Sequence, residues 1–124
     1  MKKIKITSGP VELVAMLLDT PTASAIYDKL PIESRTQTWG EEVYFEVPVQ
    51  AAREANARDV VEAGEIAFWA EGNCVAIGFG RTPISLGNEI RLAAKTNIWA
   101  LTRDDVKKLA TIRPGQKITI VKLD

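Results

Sequence analysis

Apolar and polar residues alternate with period two along most of this chain, the spacing of β-strands with one buried face. In residues 3–7, Ile4 and Ile6 oppose Lys3 and Lys5, and Ser8-Gly9-Pro10 signals a turn into a second strand over 11–18. Val11, Leu13, Ala15 and Leu17 form one apolar face of that strand. Val14, Met16 and Leu18 lie on the other, which predicts cover on both sides. The period then changes. Asp19-Thr20 before Pro21 reads as a capped helix start. Ala23, Ile26, Tyr27 and Leu30 give a helix over 21–30 its apolar stripe, and Pro31 stops it.

Period two returns at 32–38 and again at 42–47, where Val43, Phe45 and Val47 oppose Glu42, Tyr44 and Glu46. Residues 51–63 are rich in alanine and charge but broken by Asn56, and read as a connection with one helical turn. A hairpin follows. Its first strand, 65–70, turns Ile66 and Phe68 inward; Glu71-Gly72-Asn73 makes the turn; the second, 74–80, turns Val75, Ile77 and Phe79 inward. Residues 84–91 read as loop with a short strand, 96–101 and 117–123 as strands. Residues 103–109 read as a short helix opening on acidic side chains, which suit its N-terminus. Eight strands and two short helices at this spacing predict a mainly β, closed eight-stranded barrel, since nearly every strand has one apolar face and none is built as a protected edge.

Length and composition narrow the possibilities. With 124 residues the chain is one domain, 1–124, with a real core. Its formal net charge is zero, which argues against nucleic acid, whose binders carry a basic excess. No apolar run approaches the ~20 residues of a membrane helix, and the alternating start is not that of a signal peptide. The single Cys74 forms no internal disulfide and fits a cytoplasmic location. There is no histidine, which removes every His-based general base, every Ser-His or Cys-His pair and most zinc sites. No cofactor or metal is implied.

Several residues stand out as candidates. Tyr44 shares a strand face with Glu42 and Glu46, either as an aromatic in an acid-bordered groove or as a cross-strand partner on a solvated face. Trp69 stands beside the outer face of the next strand, Cys74, Ala76, Gly78 and Gly80, whose side chains are tiny. A trough there would admit a flat or extended ligand, unless a loop or the helix after Thr20 fills it. Arg81, after Gly78-Phe79-Gly80, could meet an anion, although the loop lacks the lysine and helix of a phosphate loop. The pairs Glu41-Glu42 and Asp104-Asp105 read as structural, because neighbours on a strand face opposite ways. Cys74 reads as a small buried hydrophobe and Trp99 as core or interface.

Three segments in this order, TWGEEVYFEVP at 38–48, DVVEAGEIAFWAEG at 59–72 and FGRTPIS at 79–85, resemble the small prokaryotic cyclophilin-like family. The resemblance covers most of the chain. It implies a cyclophilin-type eight-stranded barrel capped by helices, in a family known mainly from structures without an assigned activity. Peptidyl-prolyl isomerases of that fold present an arginine from a Phe-His-Arg motif, and this chain has none. Arg35 lies in a loosely similar place and is the one weak catalytic candidate, with Gln37 nearby. Glu33, two residues earlier, would share its face and pair with it. The expected function is therefore a module binding a small molecule or peptide, with a divergent isomerase or a self-associating, dimeric interaction protein as the alternatives.

Overall fold

The inward faces of the strands roll into one barrel in the computed structural model, which describes residues 2–123. Ten strands form the sheet: β1 (Lys3–Ser8), β2 (Val11–Leu17), β3 (Ile32–Arg35), β4 (Gln37–Thr38), β5 (Glu42–Glu46), β6 (Arg58–Val61), β7 (Glu65–Trp69), β8 (Cys74–Gly78), β9 (Ile90–Thr102) and β10 (Lys117–Leu123). Their order is β3-β10-β1-β2-β9-β7-β8-β5-β4, with β6 paired only to β9. Every pairing is antiparallel.

The expected count of eight is the number of staves. β3 and β4 are one stretch of chain broken at Thr36, pairing with β10 on one side of the break and β5 on the other. The Thr36 N–H donates to Gln116 O (2.9 Å), and its hydroxyl donates to Arg113 O (2.8 Å). The seam between β3 and β5 carries no ladder, but Ser34 Oγ crosses it to donate to Glu46 O at 2.6 Å. The barrel is thus nearly closed, with one seam.

The inward residues follow the alternation. Ile4, Ile6, Leu13, Val43, Phe45, Ile66, Phe68, Val75, Ile77, Phe79, Ile118 and Ile120 all belong to one buried cluster. The opposite side of β2 gets only part of the cover its sequence predicts: Met16 and Leu18 are half-buried, and Val14 is left 38% exposed. A bulge on β9 adds one residue between the partners of Ile66 and Ala67. It sends both Trp99 and Ala100 into the main core, where Trp99 Nε1 donates to Ala67 O at 3.1 Å.

The helix α1 (Pro21–Asp28) starts as read: Thr20 Oγ1 accepts from the Ala23 N–H at 3.1 Å. It ends two residues short of Leu30, whose N–H and that of Lys29 close tighter turns onto Tyr27 O and Ile26 O. Ala23 and Ile26 enter the core. The second expected helix is a 3₁₀ turn, Val106–Thr111, where Asp105 accepts from the Lys107 N–H and Val106 and Leu109 are buried. No helix among the described residues is long and apolar enough to cross a membrane.

Two segments depart from the reading, and together they make the site. Residues 58–61, inside the alanine-rich stretch, are the strand β6. Residues 90–102 are one strand of 13 residues, where a loop and a shorter strand were expected. The second half of β9 is a barrel stave between β2 and β7. Its first half leaves the barrel and pairs with β6 as a two-stranded flap. Leu92 and Val61 of the flap bury themselves against Ala67 and Ala76 on the barrel's outer surface, with Tyr44, Ile90 and Ile98 packed around them.

Candidate functional site

The small outward residues of β7 and β8 leave space that larger side chains would fill, and the flap closes part of it. Over Gly78 the closure is complete. A Cβ there would lie 2.4 Å from Ile90 Cγ2 and 3.3 Å from Leu92 Cδ2. Gly78 therefore serves close packing of the flap, and the reading of it as floor for a ligand is corrected. The expected trough is filled at this end by the chain's own strand, not by a helix.

Beyond Leu92 the space stays open. A cavity of about 270 Å³ lies between the outer face of β5, β8 and β7 and the flap. Its aromatic walls are Trp39, Tyr44 and Trp69; Ala76 and Leu92 are its apolar floor and side. Ala93, Ala94 and Thr96 continue the flap side. Trp69 keeps 37% of its surface exposed and forms part of the rim. Its ring lies directly over Gly72, where a Cβ would sit about 2.1 Å from Cζ3, so the glycine lets the ring fold back over the turn. Trp39 is positioned by the turn between β4 and β5, its N–H donating to Glu42 O at 3.0 Å.

Glu42 is the unexpected member. Strand alternation places it outward beside Tyr44, but the flap and the aromatic rings enclose it, and only 6% of its surface is exposed. Its Oε1 has no hydrogen-bond partner among the described residues. Burial pushes its carboxyl from the ordinary 4.5 up to about 7. Cys74 also lines the cavity, its thiol donating to Gly72 O at 3.3 Å. Burial first, then the charges of Glu46 and Glu42, raises its pKa, so it is a poor thiolate.

Arg35 and Arg81 lie elsewhere. Arg35 is exposed at the seam, lining an open groove with Gln37, and its guanidinium donates to Gly115 O at 3.3 Å. Its expected partner Glu33 turns to Lys117 instead, at 3.8 Å, because β10 lies beside β3 and offers a lysine there. Arg81 is exposed, and its guanidinium donates to Ser85 O within its own loop. The Arg81 backbone N–H donates to the Glu41 carboxylate at 3.2 Å, and that carboxylate lies where a Gly80 Cβ would be. Thr82 ties this loop down through hydrogen bonds to Ser85 and Arg91 O.

The structure thus brings Tyr44 and Trp69 to one cavity; Gly78 and Arg81 do not line it, and Arg35 lines the adjoining open groove, which shares Tyr44 and Cys74 with the cavity. Sequence reasoning missed Trp39 and Leu92 as members, and named Glu42 only as an acid bordering a possible groove around Tyr44. The available signal was the spacing Trp39-Gly40-Glu41-Glu42, which hangs a ring over a strand start; the enclosure of Glu42 depends on the flap, which no local pattern announced.

Residues 2–121 match the model of a family described as cyclophilin-like. The solution structure of the hypothetical protein AF2241 from Archaeoglobus fulgidus is similar at 31% identity and a TM-score of 0.83, covering 98% of this chain and 95% of that one. The structure of McbB in complex with tryptophan is similar at 11% identity and a TM-score of 0.68. That likeness covers 95% of this chain and 44% of McbB, and is one of fold. No curated protein matches.

Proposed function

The chain belongs to the cyclophilin-like family, and we propose that it acts as a binding module that takes a small molecule into the cavity beneath the flap. The observation that carries this is the cavity itself: about 270 Å³, walled by Trp39, Tyr44 and Trp69. Ligand pockets in proteins are mostly apolar concavities of ~300–1,000 Å³ with a few placed polar groups. The volume here, about 270 Å³, lies just below that range. It suits one ring system and is too small for an extended peptide. Aromatic walls also hold flat ligands by stacking.

A heteronuclear NMR titration with monocyclic and bicyclic aromatic fragments tests the reading. Saturable shifts should concentrate on Trp39, Tyr44, Trp69 and the flap. If no fragment produces a saturable shift there, the module reading fails.

The isomerase alternative needs a donor aimed at a prolyl nitrogen beside an apolar proline pocket. Arg35 instead lies exposed and bonded to Gly115 O, in an open groove beside the cavity. Turnover of a proline-containing test peptide is expected near background, and unchanged in Arg35→Ala. A clear rate enhancement lost in that variant would restore the isomerase.

A further inference from the structure

We propose that Glu42 is the recognition group of this cavity, and that its ligand is a small aromatic cation whose ring lies between Trp39, Tyr44 and Trp69 while its N–H groups pair with the Glu42 carboxylate. This rests on the reading of the cavity as a binding site and names what binds there.

The argument begins with what an enclosed carboxyl needs. A buried polar group without a partner forfeits its hydration and regains nothing. Glu42 is such a group: it is more than nine-tenths buried, lines the cavity and has an unpartnered Oε1. Of the ion pairs among the described residues, none includes it. A core position would be served as well by leucine. A carboxyl facing a cavity of ring size is explained by a donor that enters with a ligand.

The groups around it leave that role to a ligand. Beside it on the β5 segment, Glu41 and Glu46 are exposed acids, and Glu41 faces the Gly80–Arg81 backbone and Lys107. On β8 the neighbour is the Cys74 thiol, and on β5 the Tyr44 phenol. On β7, Glu65 is held by Arg58 at 2.6 Å. On the flap, Arg91 is engaged by Glu89 and Asp59, and Lys95 is exposed; Arg35, in the adjoining groove that shares Tyr44 and Cys74, is exposed and donates to Gly115 O. The neighbouring acids favour a cation over an anion in the cavity. The aromatic faces add to this, since their electron-rich faces attract positive charge.

Benzamidine and its neutral isostere benzamide are suitable probes, measured by calorimetry on the wild type and on Glu42→Gln. Benzamidine should bind the wild type and lose about tenfold or more in Glu42→Gln, as expected for a charge-assisted hydrogen bond. Benzamide should bind weakly and equally to both. Benzamidine affinity should also fall about tenfold from pH 8 to pH 6, as Glu42 takes up its proton. Gln is isosteric and uncharged, and an unchanged amide spectrum away from the cavity shows that the variant is folded. Equal binding of the two probes, or benzamidine binding indifferent to both Glu42→Gln and pH, overturns the role of Glu42 and leaves the binding module standing. The same holds if neutral fragments bind the cavity and benzamidine does not. If no aromatic probe binds, both readings fall.

Discussion

Phe68→Ala is expected to lower the unfolding free energy by about 3–5 kcal/mol, the usual cost of emptying a buried phenylalanine site. Phe68 is fully buried at the centre of β7, opposite Val75 of β8 and Asn97 of β9. Strands on both sides hold the backbone in register, so the walls cannot collapse into the vacated space. A cavity then adds to the lost transfer energy. Such a loss approaches the whole stability of many domains, which is about 5–15 kcal/mol. The comparison with Phe68→Leu is therefore informative: it keeps most of the volume and should cost far less. Urea denaturation of the three proteins measures the series. A loss below about 1 kcal/mol for the alanine variant would mean that Phe68 does not sit at a rigid core position.

The same strand shows how much of the fold was legible in sequence. Ile66 and Phe68 face inward and Ala67 and Trp69 outward, as period-two alternation requires, because a one-residue slip would have put every apolar side chain in water. Alternation of that kind is local, and it located the staves, as the Thr20-Pro21 cap located the helix start. What it could not show was the flap. Ile90 and Leu92 alternate, but Ala93-Ala94 interrupts the pattern before the stave resumes. β6 is four residues inside a segment of helical composition. Its strand state comes from pairing with β9, a contact between distant parts of the chain.

The site was half legible for the same reason. Tyr44 and Trp69 were recognisable as large outward rings beside tiny side chains. Gly78 looked like floor and is instead the seat of Ile90, since only the flap decides which end of the trough is covered. Glu42 looked like one of two acids on the solvated face of β5. Its neighbours in sequence are the same whether or not a flap encloses it, and burial alone separates it from Glu46, which stays exposed. Arg35 does lie on a strand, but the expected pairing with Glu33 depended on which strand lies alongside: Lys117 of β10 takes Glu33, and Arg35 donates to Gly115 O.

That burial has a second measurable consequence, in stability against pH. Glu42 holds its proton up to about pH 7 in the folded protein, against an ordinary value of 4.5. Below 4.5 the carboxyl is protonated in both states, and its contribution to stability is fully present. Between the two values the unfolded chain releases the proton first, so stability falls as pH rises, and the loss is complete above the folded value. At ~1.4 kcal/mol per pH unit, the gap amounts to about 3 kcal/mol. Glu42→Gln carries no such titration. Glu65, Glu71 and Glu89 have lowered pKa values and lose their stabilisation in acid, but they do so equally in both proteins. The difference between wild type and Glu42→Gln therefore isolates Glu42. At pH 5 the variant should be close to the wild type in stability, and by pH 8 it should exceed it by about 3 kcal/mol. A difference that stays constant from pH 5 to pH 8 would show that Glu42 is solvated in the folded protein, and the enclosed carboxyl would be gone. A chain that bears this cost carries an ionisable group where packing alone would place an apolar side chain; on the proposed reading of the cavity, that is a trade of stability for binding.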